Sequence, residues 1–333
     1  MKFRVAIIGA GKIAQGYNNP GDKTILTHVA AFQQHGGFEV SCFCDKNADR
    51  AQTAASRWEV PLAFTELSAL ADLRPEVVVV SVPDQEHSSV VRQALKFSPR
   101  LIFCEKPLAL DMAESKKIVQ ECTAANTVLG VNYSRRAIGF LASFQERMAC
   151  REWGRILSVR ARYYGGWFHV ATHLVDLLSF FLNPGLLGGV LLRKECLGLL
   201  DLEISGSAIL ESAGSRFPFH FEGLGSQSAT HFELEILFEK ANFWIGERNG
   251  TKFRLDMLRE NDLYPGYFEL GIDGSWQTVD PSEPMQSMVE SIFQTLSAGK
   301  PPICTGSDAL ATQGLSTRIA ALPLIENSNI WQN

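Results

Sequence analysis

A chain of 333 residues is long enough for two domains, each with a core of its own. With 46% hydrophobic and 20% charged residues it has the composition of an ordinary globular protein, and a formal net charge of −5 argues against nucleic acid or an anionic membrane as partner. Seven cysteines, an odd number with no C-x-x-C spacing, fit free thiols in a reducing compartment, so a cytoplasmic location is expected.

The apolar run Phe3 to Ile8 reads as a buried strand and is too short for a secretory signal. It runs into Gly9-Ala10-Gly11-Lys12-Ile13-Ala14, a G-x-G-x-x-A turn, and then a candidate helix. In such a turn the first glycine permits the bend, the second lets backbone approach a pyrophosphate, and the small third residue allows close helix–strand packing. Asn18 to Thr27 is a polar loop with a Pro20-Gly21 turn, and His28 to His35 is helical in pattern. Phe38 to Cys44 is a second strand, with Asp45 at its carboxyl end. An acid there accepts hydrogen bonds from the adenosine ribose hydroxyls and repels a 2′-phosphate; the other reading is a cap for the helix that follows. NAD is therefore the expected cofactor, with NADP admissible because Lys46 and Arg50 lie close by.

Helices are predicted over 48–58, 65–70, 87–96 and 111–125, with Asp111 and Glu114 spaced as a capping box. Strands are predicted over 62–64, 77–82, 101–104 and 127–131, and the alternation implies a doubly wound parallel sheet. From Asn132 the texture changes. A helix is predicted over 137–150, a strand over 155–164 with Arg160 and Arg162 on one face, and an apolar helix over 172–182. Leu177 to Leu192 is interrupted by Asn183-Pro184-Gly185 and is rejected as a membrane span. Short alternating segments to about Val279 imply an antiparallel sheet, and helices near 285–298 and 307–322 close the chain. The expected division is a dinucleotide-binding Rossmann domain at residues 1–132 and an α+β domain on a largely antiparallel open sheet at residues 133–333.

The stretches GAGKIA, VSVPDQEH (81–87 with its lead-in), CEKPLAL at 104–110, GVNYSRR at 130–136 and GGWFHVATHLVDLL at 165–178 follow in an order that resembles the Gfo/Idh/MocA oxidoreductases. The resemblance implies NAD(P)-dependent hydride transfer at a hydroxyl or keto carbon of a sugar, cyclitol or nucleotide-sugar. It also implies a homo-oligomer, dimer or tetramer, through the C-terminal sheet. The alternative on the same fold is a non-catalytic NAD(P)-binding sensor.

By that resemblance the cofactor lies on Gly9, Gly11, Lys12, Ile13, Asp45, Val82, Pro83, His87, Glu105 and Lys106, and the substrate on Tyr133, Arg135, Arg136, Trp167, His169 and Asp176. Lys106, His173 and His169 are the expected catalytic residues, and no metal is expected. Lys106 suits binding the reacting oxygen and stabilising alkoxide charge, or acting as a base when neutral. Pro107 after it is compatible with a cis bond. His173 is a proton acceptor or relay, or else a satisfied core histidine. Asp176, one turn on, either orients His173 or belongs to a structural network. His169 stands where the family usually has an acid or amide, and its i, i+4 spacing from His173 also suits a metal. Arg135 and Arg136 either grip a carboxylate or phosphate or make interdomain ion pairs.

Overall fold

The computed structural model describes residues 2–197, 201–225, 231–247, 250–271 and 274–325. In chain order the elements are β1 (Phe3–Ile8), α1 (His28–Gln34), β2 (Phe38–Cys44), α2 (Ala48–Arg57), β3 (Leu62–Phe64), β4 (Val77–Val80), α3 (His87–Leu95), β5 (Leu101–Cys104), α4 (Met112–Ala124) and β6 (Val128–Val131). Then come α5 (Gly139–Ala149), β7 (Ile156–Tyr163), α6 (Thr172–Leu182), β8 (Gly185–Leu197), β9 (Asp201–Ser212), β10 (Ser215–Gly223) and β11 (Phe232–Phe238). The chain ends with β12 (Ala241–Glu247), β13 (Thr251–Glu260), β14 (Phe268–Leu270), β15 (Gln277–Thr278), α7 (Glu283–Ala298) and α8 (Gly306–Ala320).

Two compact units form, Met1–Ala142 with Asp280–Leu310, and Ser143–Val279 with Ala311–Asn333. In the first, the β-branched runs make a six-stranded parallel sheet in the order β3-β2-β1-β4-β5-β6. That order is the doubly wound one, with the strand order reversing at β1. Both faces are buried. Val5 and Ile7 of β1 pack with α1, α2 and α7, while Ala6 and Ile8 pack with α3 and α4. Cys42 and Cys44 share the second of these cores, where burial first, then the neighbouring Cys44 for Cys42 and the Asp45 and Glu66 carboxylates for Cys44, push the thiols up to about 12 and about 11. Such thiols are inert packing groups.

The unit boundary differs from the expected division after residue 132. Met285, Met288, Val289, Ile292 and Leu296 of α7 bury their apolar stripe against Val29 and Phe32 of α1, so the chain returns to the first unit. The 3₁₀ turn Ser134–Ala137 packs on α7, and the Gly139 N–H donates to Glu283 Oε1 at 2.7 Å. The helix expected directly after the glycine turn is only a short π-type turn, Lys12–Gly16, and the first full helix begins at His28 behind an N-cap at Thr27. Glu114 does not close a capping box with Asp111. Its carboxylate holds Lys117 at 2.9 Å and Arg92 at 2.8 Å, and Asp111 caps α4 alone through the Ala113 N–H.

The second unit is a sheet in the order β14-β13-β12-β11-β7-β10-β9-β8, with β15 paired to β13. Every pair is antiparallel except β7 with β10. Alternation decides the faces: Val159, Ala161 and Tyr163 point inward, while Arg160 and Arg162 stand on the exposed face, Arg162 paired with Glu222 at 3.0 Å. The inner face is covered by α6, whose Leu174, Val175, Leu177 and Leu178 are buried. Among the described residues no helix is long and apolar enough to cross a membrane.

Candidate active site

Three loops leave the carboxyl ends of β1, β4 and β5 side by side. Backbone bonds fix them there: Gly9 N–H to Cys44 O at 2.8 Å, Ser81 N–H to Ile8 O at 2.8 Å, and Glu105 N–H to Val80 O at 2.9 Å. This is the edge of an open α/β sheet where ligands bind. Gly9 has φ +90°, and a Cβ there would lie 2.5 Å from Ser81 O, so no other residue fits. Gly11 differs. A Cβ built there meets nothing within 4 Å, so the turn presents an open backbone face that a side chain would fill. That cradle, followed by the helical turn Lys12–Gly16, fits a pyrophosphate.

Asp45 closes the turn. Its Oδ2 accepts from Ala10 N–H at 2.9 Å and its Oδ1 from Asn47 N–H at 2.9 Å, while Asn47 rather than Asp45 caps α2. The carboxylate stands beside the cradle, as the ribose-binding role requires. Arg50 lies 3.5 Å from Oδ2, an ion pair that the sequence reading did not foresee. NAD(H) should still bind more tightly than NADP(H), because a 2′-phosphate meets the carboxylate first. Asp45→Ala should narrow the difference, with the half-exposed Arg50 then free to turn to the phosphate. Titration of both cofactors into wild type and variant checks this, and tighter wild-type binding of NADP(H) would overturn it.

Lys106 lies half-buried on the loop after β5, and its bond to Pro107 is cis. The preceding Glu105 is gripped by residues with no local signal in the sequence: its Oε1 takes a bond from His28 Nε2 at 2.8 Å and from Asn132 Nδ2 at 2.7 Å. Burial opposes ionisation of Glu105, but the His28 bond and charge, the Asn132 amide and the Lys106 charge together hold its carboxyl below the ordinary value. The stability it contributes is therefore complete above about pH 4.3 and is lost as the pH falls through the depressed value. Glu105→Gln should lower the melting temperature at neutral pH, and the gap to wild type should close on acidification. Thermal unfolding across that range tests it; a gap independent of pH would refute it.

The remaining expected residues divide sharply. His87 is fully buried and both ring nitrogens face backbone carbonyls, Pro107 O at 2.7 Å and Val82 O at 2.9 Å. Tyr133 is buried in the core of the first unit, and Arg136 is buried against Asp308 at 3.3 Å within that unit rather than in an interdomain pair. Arg135 is half-buried. In the second unit Trp167 is a core residue, its ring packed on Tyr163 and Phe221 and its Nε1–H donating to Ser316 O on α8 at 3.0 Å. Asp176 is buried and accepts from Thr312 Oγ1 at 2.8 Å.

His169 is exposed on a π-type turn, Trp167–Ala171, and His173 follows half-buried on the first turn of α6 with its ring edge on Phe232. The turn has no side-chain cap of its own; Asp201 on β9 supplies one, accepting from Phe168 N–H at 2.9 Å and His169 N–H at 3.1 Å. Gly166, at φ +96°, leaves the room for that carboxylate. Asp201 was invisible from sequence because it lies on a strand more than 30 positions away. Among the described residues no group of three or more His, Cys, Asp or Glu side chains is placed to hold a metal ion.

The profile of an oxidoreductase family with an NAD-binding Rossmann fold matches residues 3–133. An inositol 2-dehydrogenase from Salmonella paratyphi B is 23% identical over 197 residues, covering 55% of each chain. A 1,5-anhydro-D-fructose reductase from Ensifer adhaerens is 25% identical over 203 residues, 61% of this chain and 53% of that one. The chain thus spans about half the length of the curated relatives it matches. A solved 3-ketoreductase from Actinomadura kijaniata in complex with NADP superposes with a TM-score of 0.74 over 98% of this chain and 100% of that one; at 16% identity the likeness is one of fold. Over residues 3–133 the chain is thus similar to the Gfo/Idh/MocA oxidoreductases with their NAD-binding Rossmann fold.

Proposed function

We propose that this protein is an NAD(P)-dependent oxidoreductase acting on a CH–OH or keto carbon of a sugar, cyclitol or nucleotide-sugar. The observation that carries the reading is Lys106, half-buried between two anchored neighbours at the same sheet edge as the open Gly9–Gly11 cradle. The inositol and anhydrofructose enzymes among the relatives support a polyol or sugar as the substrate class. When bound, the nicotinamide supplies the hydride acceptor or donor. Gly9, Gly11, Lys12 and Ile13 hold the phosphates, Asp45 the ribose, and Val82 and Pro83 border the nicotinamide side. Lys106 Nζ binds the reacting oxygen and stabilises the charge that develops on it. His173 takes or returns the hydroxyl proton. Arg135 is the residue best suited to an anionic group on the substrate.

Self-association through the second unit's sheet belongs to the same reading. It is supported by an exposed apolar run at Leu258, Leu263, Tyr264, Tyr267 and Phe268 on and around β13 and β14. A reducing, cytoplasmic setting is supported by seven free cysteines. The test is to incubate the protein with NAD or NADP and a panel of sugars, cyclitols and nucleotide-sugars, following absorbance of the reduced cofactor, and to run keto sugars with reduced cofactor in reverse. Cofactor binding without turnover in either direction would leave the sensor reading in its place.

A further inference from the structure

His87 opens α3 with no exposed surface, and each ring nitrogen has a backbone carbonyl oxygen as partner: Nδ1 at 2.7 Å from Pro107 O, Nε2 at 2.9 Å from Val82 O. A carbonyl oxygen only accepts. A neutral imidazole has one N–H, and its other nitrogen would set a lone pair against the second carbonyl. Only the imidazolium, with a proton on both nitrogens, satisfies both contacts. We propose that His87 is a doubly donating positioning residue that ties the loop after β4 to the loop carrying Lys106, and that it does not itself touch the cofactor. Its grip on Pro107 mirrors that of His28 and Asn132 on Glu105, so both chain neighbours of Lys106 are fixed by buried side chains.

The electrostatic surroundings are acidic on balance. The turn before α3 carries Asp84 and Glu86, the latter bound to Lys46 at 2.6 Å, and β5 leads into Glu105 and Lys106. On the side of α4, Glu114 and Glu121 hold Arg92 of α3, and β4 brings no charged group. The two bonds to carbonyls are charge-assisted and so stronger than neutral ones.

The consequence for catalysis rests on the reading of Lys106 as the group that meets the reacting oxygen, but the protonation state does not. The first measurement is a long-range ¹⁵N–¹H correlation of the full chain labelled at its histidine rings, in the presence of NAD. His87 should show two protonated, slowly exchanging ring nitrogens; one N–H and one bare nitrogen would overturn the proposal. His87→Asn identifies the signal, and if a variant does not fold, substituting the other six histidines one at a time assigns the wild-type spectrum. The second measurement is kinetic. His87→Phe removes both bonds and should lower kcat about ten- to a hundredfold, the scale of a slightly misplaced reacting group. Its NAD affinity should stay within about twofold, since a loss confined to kcat marks a transition-state effect. His87→Asn, whose amide nitrogen takes the place of Nδ1, should recover most of that loss through Pro107. Equal losses in both variants, or a fall in NAD affinity with kcat unchanged, would contradict the positioning role. If the wild type turns over nothing in the substrate panel, the proposed activity fails while the ring spectrum still decides the protonation.

Discussion

Lys106→Met should lower kcat by roughly a hundredfold or more, the scale of a lost acid–base or charge-stabilising group. Methionine keeps the length and flexibility of the side chain but removes the ammonium, so the loss reports charge and proton rather than packing. The loop itself should stay in place, because Glu105 is held by His28 and Asn132 and the Pro107 carbonyl by His87. NAD affinity should change little, since the phosphates sit on the glycine turn at a separate strand end. Lys106→Arg then separates two roles. Arginine keeps the charge but cannot give up its proton, so recovery of turnover assigns Lys106 to charge stabilisation and continued loss assigns it to proton transfer. The measurements are kcat, KM and a cofactor titration for the three proteins. Near-normal turnover in Lys106→Met would remove Lys106 from the chemistry.

The parts of the fold legible in the sequence are those decided within a few residues. β1, the glycine turn and the strands at 38–44, 62–64 and 101–104 fall where periodicity and turn residues put them, because a buried parallel strand needs only an apolar run with a stop at each end. What escaped depends on partners far along the chain. The stripe on α7 reads like any amphipathic helix; that it covers α1 rather than the second unit's sheet is a packing outcome with no local mark. The helix after the glycine turn is cut to one π-type turn because Asn18 to Thr27 intervenes, and Arg57 of α2 ties that insertion down through Gln15 and the Asn18 carbonyl.

The site divides in the same way. Gly9, Gly11 and Asp45 were legible because the cradle is local to one strand–turn–helix and its neighbouring strand end. Trp167 and Tyr133 were expected at the substrate, and a motif gives the position of a residue but not the direction of its side chain. Both rings turn into cores that only the folded chain reveals. His28 was missed for the opposite reason: it lies 77 positions from the carboxylate it holds, on a helix whose sequence reads as plain packing. His87 was expected among the cofactor-binding residues, and both its ring nitrogens are engaged by backbone carbonyls.

His173→Ala should be far more damaging than His169→Ala. Loss of a general acid–base group lowers kcat/KM by roughly a hundred- to ten-thousandfold, and in the proposed function His173 is that group. It is half-buried on the first turn of α6, its ring fixed against Phe232 and its helix held by Asp176 through Thr312. His169 is exposed, and its backbone N–H is held by Asp201, an interaction that alanine retains. His169→Ala should therefore stay within about tenfold of wild type, the range of a side chain that tunes without transferring a proton. His169→Asp should keep measurable activity and move the rising limb of the pH–rate profile to higher pH, because an anion one turn away favours the imidazolium of His173 over the neutral acceptor. The pH dependence of kcat/KM for wild type and the three variants reads all of this. Equal losses from the two alanine changes, with activity restored by added zinc, would instead mark the two histidines as a metal-binding pair.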